Sequence, residues 1–467
     1  MTWPVIGSSQ PGYIQRLGWC TVRLLGVFAL KGVMSRKILH ILSQRPSRTG
    51  SGVTLEAMVR EAARAGWEQA AVIGAPTGDR DLAVGDLATN GDLVANGGLA
   101  ANRIYPVWFA NGIAPPHGAS QITQYPDLDL PIPGMSDVMP YPSTVWSTMT
   151  LEQLDQYRTV WRCHLARVID EFSPDVIHSH HIWLVSSLVK DVAPEIPIVT
   201  TCHSTGLRQM ILTPHLASEV TKGCARNERF CVLRSDHRQA LQEALGIDPE
   251  RIHVVGAGYR ADLFRQMSNA SADLRNILYV GKLSRAKGLP WLLEVFANLR
   301  QKSPELKLHI AGSGSGSEAE KIRQRISSLA PQVILHGPLA QDRLATLMRQ
   351  CAVCVLPSFY EGVPLVLVEA AACGCQIVTT DLPGVREQIA PHLGHVMDLV
   401  PLPRLHGVDQ PVAEDLPAFV ENLQAAILSA QKRAAAQQVL KVSDLTSFTW
   451  EMVFERVQKV WLELLAR

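Results

Sequence analysis

The sequence lacks several features that would assign it to a broad class at once. Its longest apolar runs, of which residues 24–30 and 362–368 are typical, fall far short of the roughly 18 residues that span a bilayer. Neither sign of charge dominates, since 44 lysines and arginines stand against 43 aspartates and glutamates. That balance gives no electrostatic reason to expect a nucleic-acid-binding protein. Charged residues make up 19% and hydrophobic residues 47%, which indicates a globular chain and excludes global disorder.

Cysteine is also scarce, and its count of nine in 467 residues is odd. An odd count in a long chain is typical of reduced thiols, so we expect a cytoplasmic protein. Cys351 with Cys354 and Cys373 with Cys375 have spacings that zinc sites also use. Both pairs lie in apolar stretches, which favours core packing over metal binding.

The first 33 residues differ from the rest of the chain. Arg16, Arg23 and Lys31 interrupt an apolar stretch that contains no acidic residue, and this pattern is too broken for a signal peptide. An apolar strand pattern begins at residues 37–42, directly after Met34. We therefore expect residues 1–33 to be an unstructured or misassigned extension.

Strand and helix patterns alternate from residue 34 onward, including a helix expected at 151–172 and a strand expected at 175–178, and they restart after a polar linker at residues 266–275. Such alternation predicts parallel sheets covered by helices on both faces. We expect an N-terminal Rossmann-like domain at 34–265, a second at 276–445 and a C-terminal helix at 446–467, capped by Ser447 or Thr449. An imperfect six-residue repeat within 77–101 predicts a surface insertion, and the proline-rich residues 126–142 predict an ordered loop.

In open α/β sheets, ligands bind at the carboxyl ends of the strands, so the residues that follow each predicted strand are candidates. Gly281, Lys282 and Lys287 lie in a turn after a predicted strand. Two lysines beside glycines suit a diphosphate, although a solvated basic turn has the same composition. The segment 312–316, Gly-Ser-Gly-Ser-Gly, resembles part of a dinucleotide-binding loop but lacks the acidic partner, and a flexible turn explains it equally well.

A third cluster surrounds an apolar helix expected at residues 364–373. Glu361 precedes this helix and Glu369 lies inside it. The free N–H groups of residues 362–365 suit a phosphate, and the helix dipole alone explains an acid at position 361. A glutamate in the apolar helix must be paired, lie at a cleft or destabilise the fold, so Glu369 is the more informative of the two.

These segments together resemble the donor domain of family 4 glycosyltransferases, which are retaining enzymes of the GT-B fold. The resemblance is carried by VGKLSRAKG, LHIAGSGSG, VILHGPL, LPSFYEGVPLVLVEAAACG and TTDLPGVREQI within residues 277–389. The first half adds PDVIHSHH, TTCHSTG and VVGAGYRADLF, which are similar to acceptor-domain segments in the same order. The resemblance implies two Rossmann-like domains facing across a cleft, with a C-terminal helix that crosses back. Glu361 and Glu369 match the family's Glu-x7-Glu motif.

The resemblance also implies a role for each candidate residue. Lys282 and Lys287 would hold the donor diphosphate, Glu369 the ribose hydroxyls, and Glu361 the transferring sugar. His203 would face that sugar from the N-terminal domain. Backbone groups near the diphosphate would come from a glycine-rich loop after the first strand and from the two C-terminal turns, namely Gly50, Gly52, Gly281, Gly362, Val363, Pro364 and Leu365. Arg260 departs from the Asn-Gly-Val-Asp pattern that relatives often have.

No metal or other cofactor is expected at this site. His178, His180 and His181 form a cluster in the sequence, but we expect neighbouring histidines at a strand end to point in different directions and to bind no metal. Asp127 and Asp129 have the form of a metal-binding Asp-x-Asp motif, yet no buried strand precedes them, so we interpret the match as chance.

We therefore expect a retaining hexosyltransferase that uses a nucleotide-sugar donor and a glycan, lipid-linked or small-molecule hydroxyl acceptor, without nucleic acid. A cytoplasmic location is expected, with peripheral contact to the inner membrane face as an option. Two alternatives remain at this stage. One is other GT-B chemistry, such as a sugar-nucleotide epimerase or an inverting transferase with His203 as general base. The other is a scaffold that binds a nucleotide sugar or glycan without turnover.

Overall fold

The computed structural model describes residues 36–46, 49–78, 101, 103–110, 127–135, 139, 141–267, 272–436 and 442–466. Lys37–Arg467 form one compact unit. The expected extension at residues 1–33 and most of the repeat within 77–101 lie outside the described residues.

Two parallel sheets organise this unit. The first contains seven strands in the order β3-β2-β1-β4-β5-β6-β7. Their bounds are β1 Lys37–Leu42, β2 Glu68–Pro76, β3 Arg103–Phe109, β4 Val176–His180, β5 Ile198–Cys202, β6 Arg229–Val232 and β7 Ile252–Val254. The second contains six strands in the order β10-β9-β8-β11-β12-β13. Their bounds are β8 Asp273–Val280, β9 Lys307–Ala311, β10 Val333–Gly337, β11 Cys351–Leu356, β12 Gln376–Thr380 and β13 Met397–Val400.

Helices connect most of the successive strands among the described residues, as is usual in a parallel sheet. Those of the first half are α1 Gly50–Arg64, α2 Leu151–Phe172, α3 Leu184–Val192, α4 Ser204–Leu212, α5 Pro214–Cys224 and α6 Ser235–Leu245. Those of the second half are α7 Leu289–Lys302, α8 Gly316–Ser328, α9 Gln341–Arg349, α10 Leu365–Ala372, α11 Ala390–Leu393, α12 Leu416–Ala435 and α13 Trp450–Leu465. A two-stranded hairpin, β14 Leu405–His406 and β15 Gln410–Pro411, precedes α12. The expected pair of doubly wound sheets is confirmed.

The strand order reverses direction once in each sheet, between β1 and β4 and between β8 and β11. A crevice opens at such a switch point, outside the carboxyl ends of the strands, and ligands bind there. Each sheet has its own hydrophobic core, built from the strands and the helices that cover them. The topology therefore places any site on the loops that follow β1, β4, β5, β8 and β11.

The last helix, α13, returns from the second half to the first. Trp450, Val457 and Trp461 of α13 pack in one buried cluster with Ile38 of β1 and Val176 of β4. Thr449 caps the helix, because its side chain accepts a hydrogen bond from the backbone N–H of Met452 at 3.3 Å. The expectation of a helix that crosses back between the halves is confirmed, and Thr449 rather than Ser447 is the cap.

Three element boundaries differ from the sequence prediction. β8 begins at Asp273, inside the stretch 266–275 expected to be a linker. α10 begins at Leu365, with Pro364 in the cap position just before it, because Pro364 adopts a non-helical ψ of 80°. β4 extends through His180 rather than ending at 178. Among the described residues, no helix combines the length and the apolar character that crossing a membrane requires.

Candidate active site

A cavity of about 440 Å³ lies between the two halves of the compact unit. Its volume is in the range typical of small-molecule sites. The walls come from the loops after β1, β4, β5 and β6, from the start of α10, and from Trp450 of α13. Of the residues expected at the site, the cavity is lined by Gly50, His203, Gly362, Val363, Leu365 and Glu369. Gly52, Gly281, Lys282, Lys287, Glu361 and Pro364 are described residues that do not line it.

The lysine-bearing turn after β8 is held between two neighbouring loops. Gly288 has φ +68°, and a Cβ there would lie 1.9 Å from the carbonyl oxygen of Pro357, after β11. Gly312 has φ +142°, and a Cβ there would lie 1.9 Å from the carbonyl oxygen of Gly281. Only glycine permits both the left-handed backbone and this close approach. Gly312 therefore has a packing role against the turn that carries Lys282 and Lys287.

The close packing of this turn against the loop after β11 brings Lys287 and Glu361 together. Their Nζ and Oε1 atoms are 2.6 Å apart, and the Glu361 side chain is 16% exposed. Ser358 Oγ also donates a hydrogen bond to Glu361 Oε1 at 2.8 Å, and Lys287 Nζ donates to the carbonyl of Tyr360 at 3.3 Å. Two residues expected to contact different parts of a donor are thus ion-paired with each other. Lys282 is exposed.

Glu369 lies in the cavity wall on α10, among apolar residues. Burial raises the pKa of its carboxyl group to about 7, because desolvation disfavours the charged form. Among the residues that the structure describes, no ion pair to Glu369 forms. A desolvated carboxylate of this kind is typical of a binding site, and its oxygens can accept hydrogen bonds from ligand hydroxyls.

His203 lines the cavity just after β5, at the residue before helix α4. Its Nε2 atom is hydrogen-bonded to Nδ1 of His180 at 3.3 Å, so Nδ1 is the ring nitrogen left for the cavity. Burial lowers the pKa of His203 to about 4. The ring is therefore neutral at pH 7 and offers a hydrogen bond rather than a charge.

The first glycine-rich segment is helical, not a loop. Gly50 is the first residue of α1 and Gly52 lies in its first turn. Thr49 caps the helix, since its Oγ1 accepts a hydrogen bond from the N–H of Gly52 at 3.1 Å. Thr49 can satisfy that N–H because its backbone is extended. The expectation of a loop at these positions is wrong, although Gly50 does line the cavity.

The sequence predicted that neighbouring histidines at the end of this strand point in different directions, but two of them share one face of the sheet. His178 and His180 lie two residues apart in β4 and project to the same face of the sheet. Their rings stack at 4.8 Å with an interplanar angle of 20°. One ring nitrogen each of His40, His178 and His180 lies within 4.8 Å of the other two.

Two other sequence motifs have structural roles. Asp127 accepts a hydrogen bond from the backbone N–H of Trp108 at 2.8 Å, which ties a loop to the end of β3. Cys375 Sγ donates to the carbonyl oxygens of Met348 at 3.2 Å and Cys351 at 3.3 Å. Cys351, Cys354, Cys373 and Cys375 are all buried free thiols.

Sequence reasoning missed several cavity residues. Arg234 follows β6, Gln44 follows β1, and both line the cavity. Gln44 Oε1 is hydrogen-bonded to Nε2 of His181 at 3.0 Å, and His181 has a left-handed φ of 71°. Both residues come directly after a strand, and this position is the sequence signal that could have identified them. The sequence predictions used that signal in the C-terminal half but not fully in the N-terminal half.

Two family models match the chain, one in each half. "Glycosyltransferase Family 4" matches residues 134–263, and "Glycosyl transferases group 1" matches residues 274–401. The two matches contain the ends of β4, β5 and β6, and the whole of the lysine-bearing turn and α10.

Curated relatives are glycosyltransferases of different acceptor types. The D-inositol 3-phosphate glycosyltransferase 1 of Catenulispora acidiphila is 26% identical over 340 residues, which is 65% of this chain and 78% of the relative. That of Rhodococcus erythropolis is 31% identical over 45% of this chain and 53% of the relative. Glycogen synthase of Mycobacterium tuberculosis is 27% identical over 62% of this chain and 69% of the relative. The aligned regions thus span between about half and about three quarters of these relatives.

Solved structures share the fold over nearly the whole chain. Sucrose-phosphate synthase of Thermosynechococcus elongatus aligns with a TM-score of 0.55 at 18% identity, covering 92% of this chain and 99% of that one. Anabaena HepE in complex with UDP-glucose aligns with a TM-score of 0.54 at 17% identity, covering 92% and 100%. The paired sheets with a cavity between them and the two family matches lead to the same conclusion about the family of this chain. This chain belongs to the family 4 glycosyltransferases and has the GT-B fold.

Proposed function

We propose that this glycosyltransferase moves a sugar, with retention of its anomeric configuration, from a nucleotide-sugar donor to a hydroxyl acceptor. The observation that carries the proposal is Glu369, a desolvated carboxyl group without an ion pair among the described residues, which lines the cavity between the sheets. Ribose hydroxyls supply the donors that such a carboxylate needs. The complex of HepE with UDP-glucose supports a nucleotide sugar as the donor class.

The donor extends from Glu369 towards the N-terminal half in this proposal. Its ribose contacts Glu369, and its diphosphate lies against the start of α10, where Val363 lines the cavity. The N–H of Leu365 already donates to the carbonyl oxygen of Val363 at 2.9 Å, so it is not assigned to the phosphate. When the donor binds, the ammonium group of Lys287 gives up part of its contact with Glu361 and contacts the phosphate oxygens instead. That exchange leaves Glu361 in place to contact the transferring sugar, while His203 contacts the same sugar from the opposite wall.

Chemistry in this arrangement depends on stabilising the leaving diphosphate. As the glycosidic bond stretches, negative charge grows on the phosphate oxygens and positive charge grows on the sugar. In this proposal Lys282 and Lys287 stabilise the negative charge on the phosphate oxygens, and Glu361 stabilises the positive charge on the sugar. We propose that these groups act without a divalent cation and that the acceptor attacks from the face the diphosphate leaves.

The state of His203 favours this reaction over inversion. An inverting transferase needs a general base whose pKa lies near the working pH. Burial lowers the pKa of His203 to about 4, and its Nε2 atom is engaged with His180. His203 is therefore a weak base that is better suited to hold the sugar than to deprotonate the acceptor.

The acceptor enters from the N-terminal side of the cavity. That wall carries the hydroxyl and amide groups of Gln44, Thr49, Ser51 and Thr54, together with the apolar Met135. Such a mixed wall fits a polyhydroxyl acceptor, whether a glycan, a lipid-linked sugar or a small molecule. The relatives named after D-inositol 3-phosphate and glycogen support hydroxyl acceptors of this kind.

A thermal-shift screen with nucleotides and nucleotide sugars tests the proposal first. Any ligand that binds only the native state raises its stability, so one nucleoside diphosphate and its sugar should raise the melting temperature most. Wild-type protein that binds none of them would refute the donor assignment. A scaffold without activity would bind the donor yet leave it intact across a wide acceptor panel.

A further inference from the structure

Arg234 lines the cavity, but the proposed function gives it no role. It stands between β6 and α6 in the N-terminal half, and its side chain is 15% exposed. Its Nε atom donates to Oδ1 of Asp236 at 2.8 Å, and its Nη2 atom donates to Oδ2 of the same carboxylate. This bidentate pairing fixes the plane of the guanidinium group.

The remaining guanidinium nitrogen faces the C-terminal half. A Cβ at Gly384 would lie 3.3 Å from Nη1 of Arg234, and one at Gly362 would lie 4.0 Å from it. Gly362 precedes α10 and Gly384 follows β12, so Nη1 reaches across the cavity to two loops of the other half. Among the described residues, no hydrogen bond of Nη1 is seen. Tyr360 and Glu387 are also close enough to act on its charge.

A cation in the cavity wall would add to the two lysines, neither of which lines the cavity. Lys287 is already ion-paired with Glu361 at 2.6 Å and does not line the cavity. Arg234 lines it directly. An arginine held by a carboxylate, with one N–H pair still available, suits a phosphate oxygen because its geometry is pre-organised.

We propose that Arg234 binds the donor diphosphate from the N-terminal half, so that the diphosphate links the two halves of the enzyme. This inference rests on the proposed function, since it assigns one more ligand to the same donor. Asp236 acts as a positioning residue that aims the guanidinium. The diphosphate is thus held by groups from both halves of the chain.

The test compares nucleotides that differ only in the diphosphate. UDP, ADP and GDP are first screened with the wild-type chain, and the one that binds best is paired with its own monophosphate. Calorimetry then measures both affinities for Arg234→Gln, Arg234→Lys and Asp236→Asn. Arg238→Gln is the matched control, because Arg238 lies on α6, shortly after Arg234 and Asp236 in the chain, but donates to the carbonyl of Pro249 at 2.8 Å and does not line the cavity.

We expect Arg234→Gln to weaken binding of the diphosphate by about tenfold or more, as loss of a charge-assisted hydrogen bond does, and binding of the monophosphate by less than about threefold. Arg234→Lys should keep part of the affinity, and Asp236→Asn should weaken it less than Arg234→Gln. Arg238→Gln should match the wild type.

Two outcomes overturn the inference. Equal losses for the diphosphate and the monophosphate would show that Arg234 acts on the cavity's shape rather than on phosphate. Unchanged diphosphate affinity in a folded Arg234→Gln variant would show that Arg234 contacts only protein. Both outcomes leave the proposed function intact, whereas a wild-type chain that binds none of the three diphosphates refutes the proposed function itself.

Discussion

Replacing Glu369 by glutamine should weaken donor binding and remove its pH dependence. Glu369 accepts ribose hydroxyls in our proposal, and loss of hydrogen bonds to a charged group costs about 1.5–3 kcal/mol. That loss corresponds to a rise in donor Kd of about ten- to a hundred-fold. Because the pKa of Glu369 is raised to about 7, the ionised fraction falls about tenfold between pH 8 and pH 6. The affinity of the wild type for a nucleotide sugar should fall with it.

The same substitution should stabilise the free protein at alkaline pH. The folded-state pKa of about 7 lies above the ordinary value of 4.5, so folding favours the protonated form. The protonated carboxyl group of Glu369 therefore contributes to the stability of the folded state at pH values below its ordinary pKa, and this contribution is lost as the pH rises through about 7. At pH 8 the wild type carries a desolvated charge that Glu369→Gln lacks, and the variant should melt higher. The difference should shrink towards pH 5.

Calorimetry and thermal melts from pH 5.5 to pH 8.5 check both effects. Calorimetry in buffers of different ionisation enthalpy should also detect proton release when the donor binds near pH 6.5. Glu294→Gln, an exposed position on α7, is the matched control and should change neither property. The reasoning is refuted if Glu369→Gln melts lower than the wild type at pH 8 and binds donor with the wild-type pH profile.

Three further predictions concern the chemistry. Glu361→Gln should lower kcat more than it raises donor KM, since its contacts strengthen as the sugar gains positive charge; near-normal kcat, measured where the variant is folded, would remove it from the sugar site. Activity should survive EDTA, because cationic side chains neutralise the diphosphate; loss that Mg²⁺ or Mn²⁺ reverses would contradict this. With the pKa of His203 lowered to about 4, no kinetic pKa between pH 5.5 and pH 8 should disappear in His203→Gln, and an acidic limb that does disappear would indicate a general base.

Local signals in the sequence predicted the elements that depend on local physics. Helix α2 was expected at residues 151–172 and spans Leu151–Phe172. Thr150 and Gln153 form a reciprocal capping box at its start, and Ser173 ends it with a left-handed φ of 50°. The apolar surroundings of Glu369 likewise indicated a carboxyl group that is paired, lies at a cleft or destabilises the fold, and the structure places it in the cavity wall.

Features that depend on the approach of distant loops could not be predicted. The ion pair of Lys287 with Glu361 requires the turn after β8 to lie against the loop after β11. The position of Arg234 requires the two halves of the chain to face each other. The shared face of His178 and His180 depended on two more residues of β4 than the sequence pattern indicated. The spacing of residues within one segment does not show which distant segments pack against it.

The most direct test of the central claim is an NMR time course with the α-linked nucleotide sugar that stabilises the protein most. The reaction is run with a panel of glycan, lipid-linked and small polyhydroxyl acceptors, and also with water as the acceptor. Our account predicts release of the nucleoside diphosphate together with a sugar product that first appears as the α-anomer. Glu361→Gln and Glu369→Gln, both folded, should slow that release. A β-anomeric first product would contradict retention, and an intact donor under every condition would contradict sugar transfer itself.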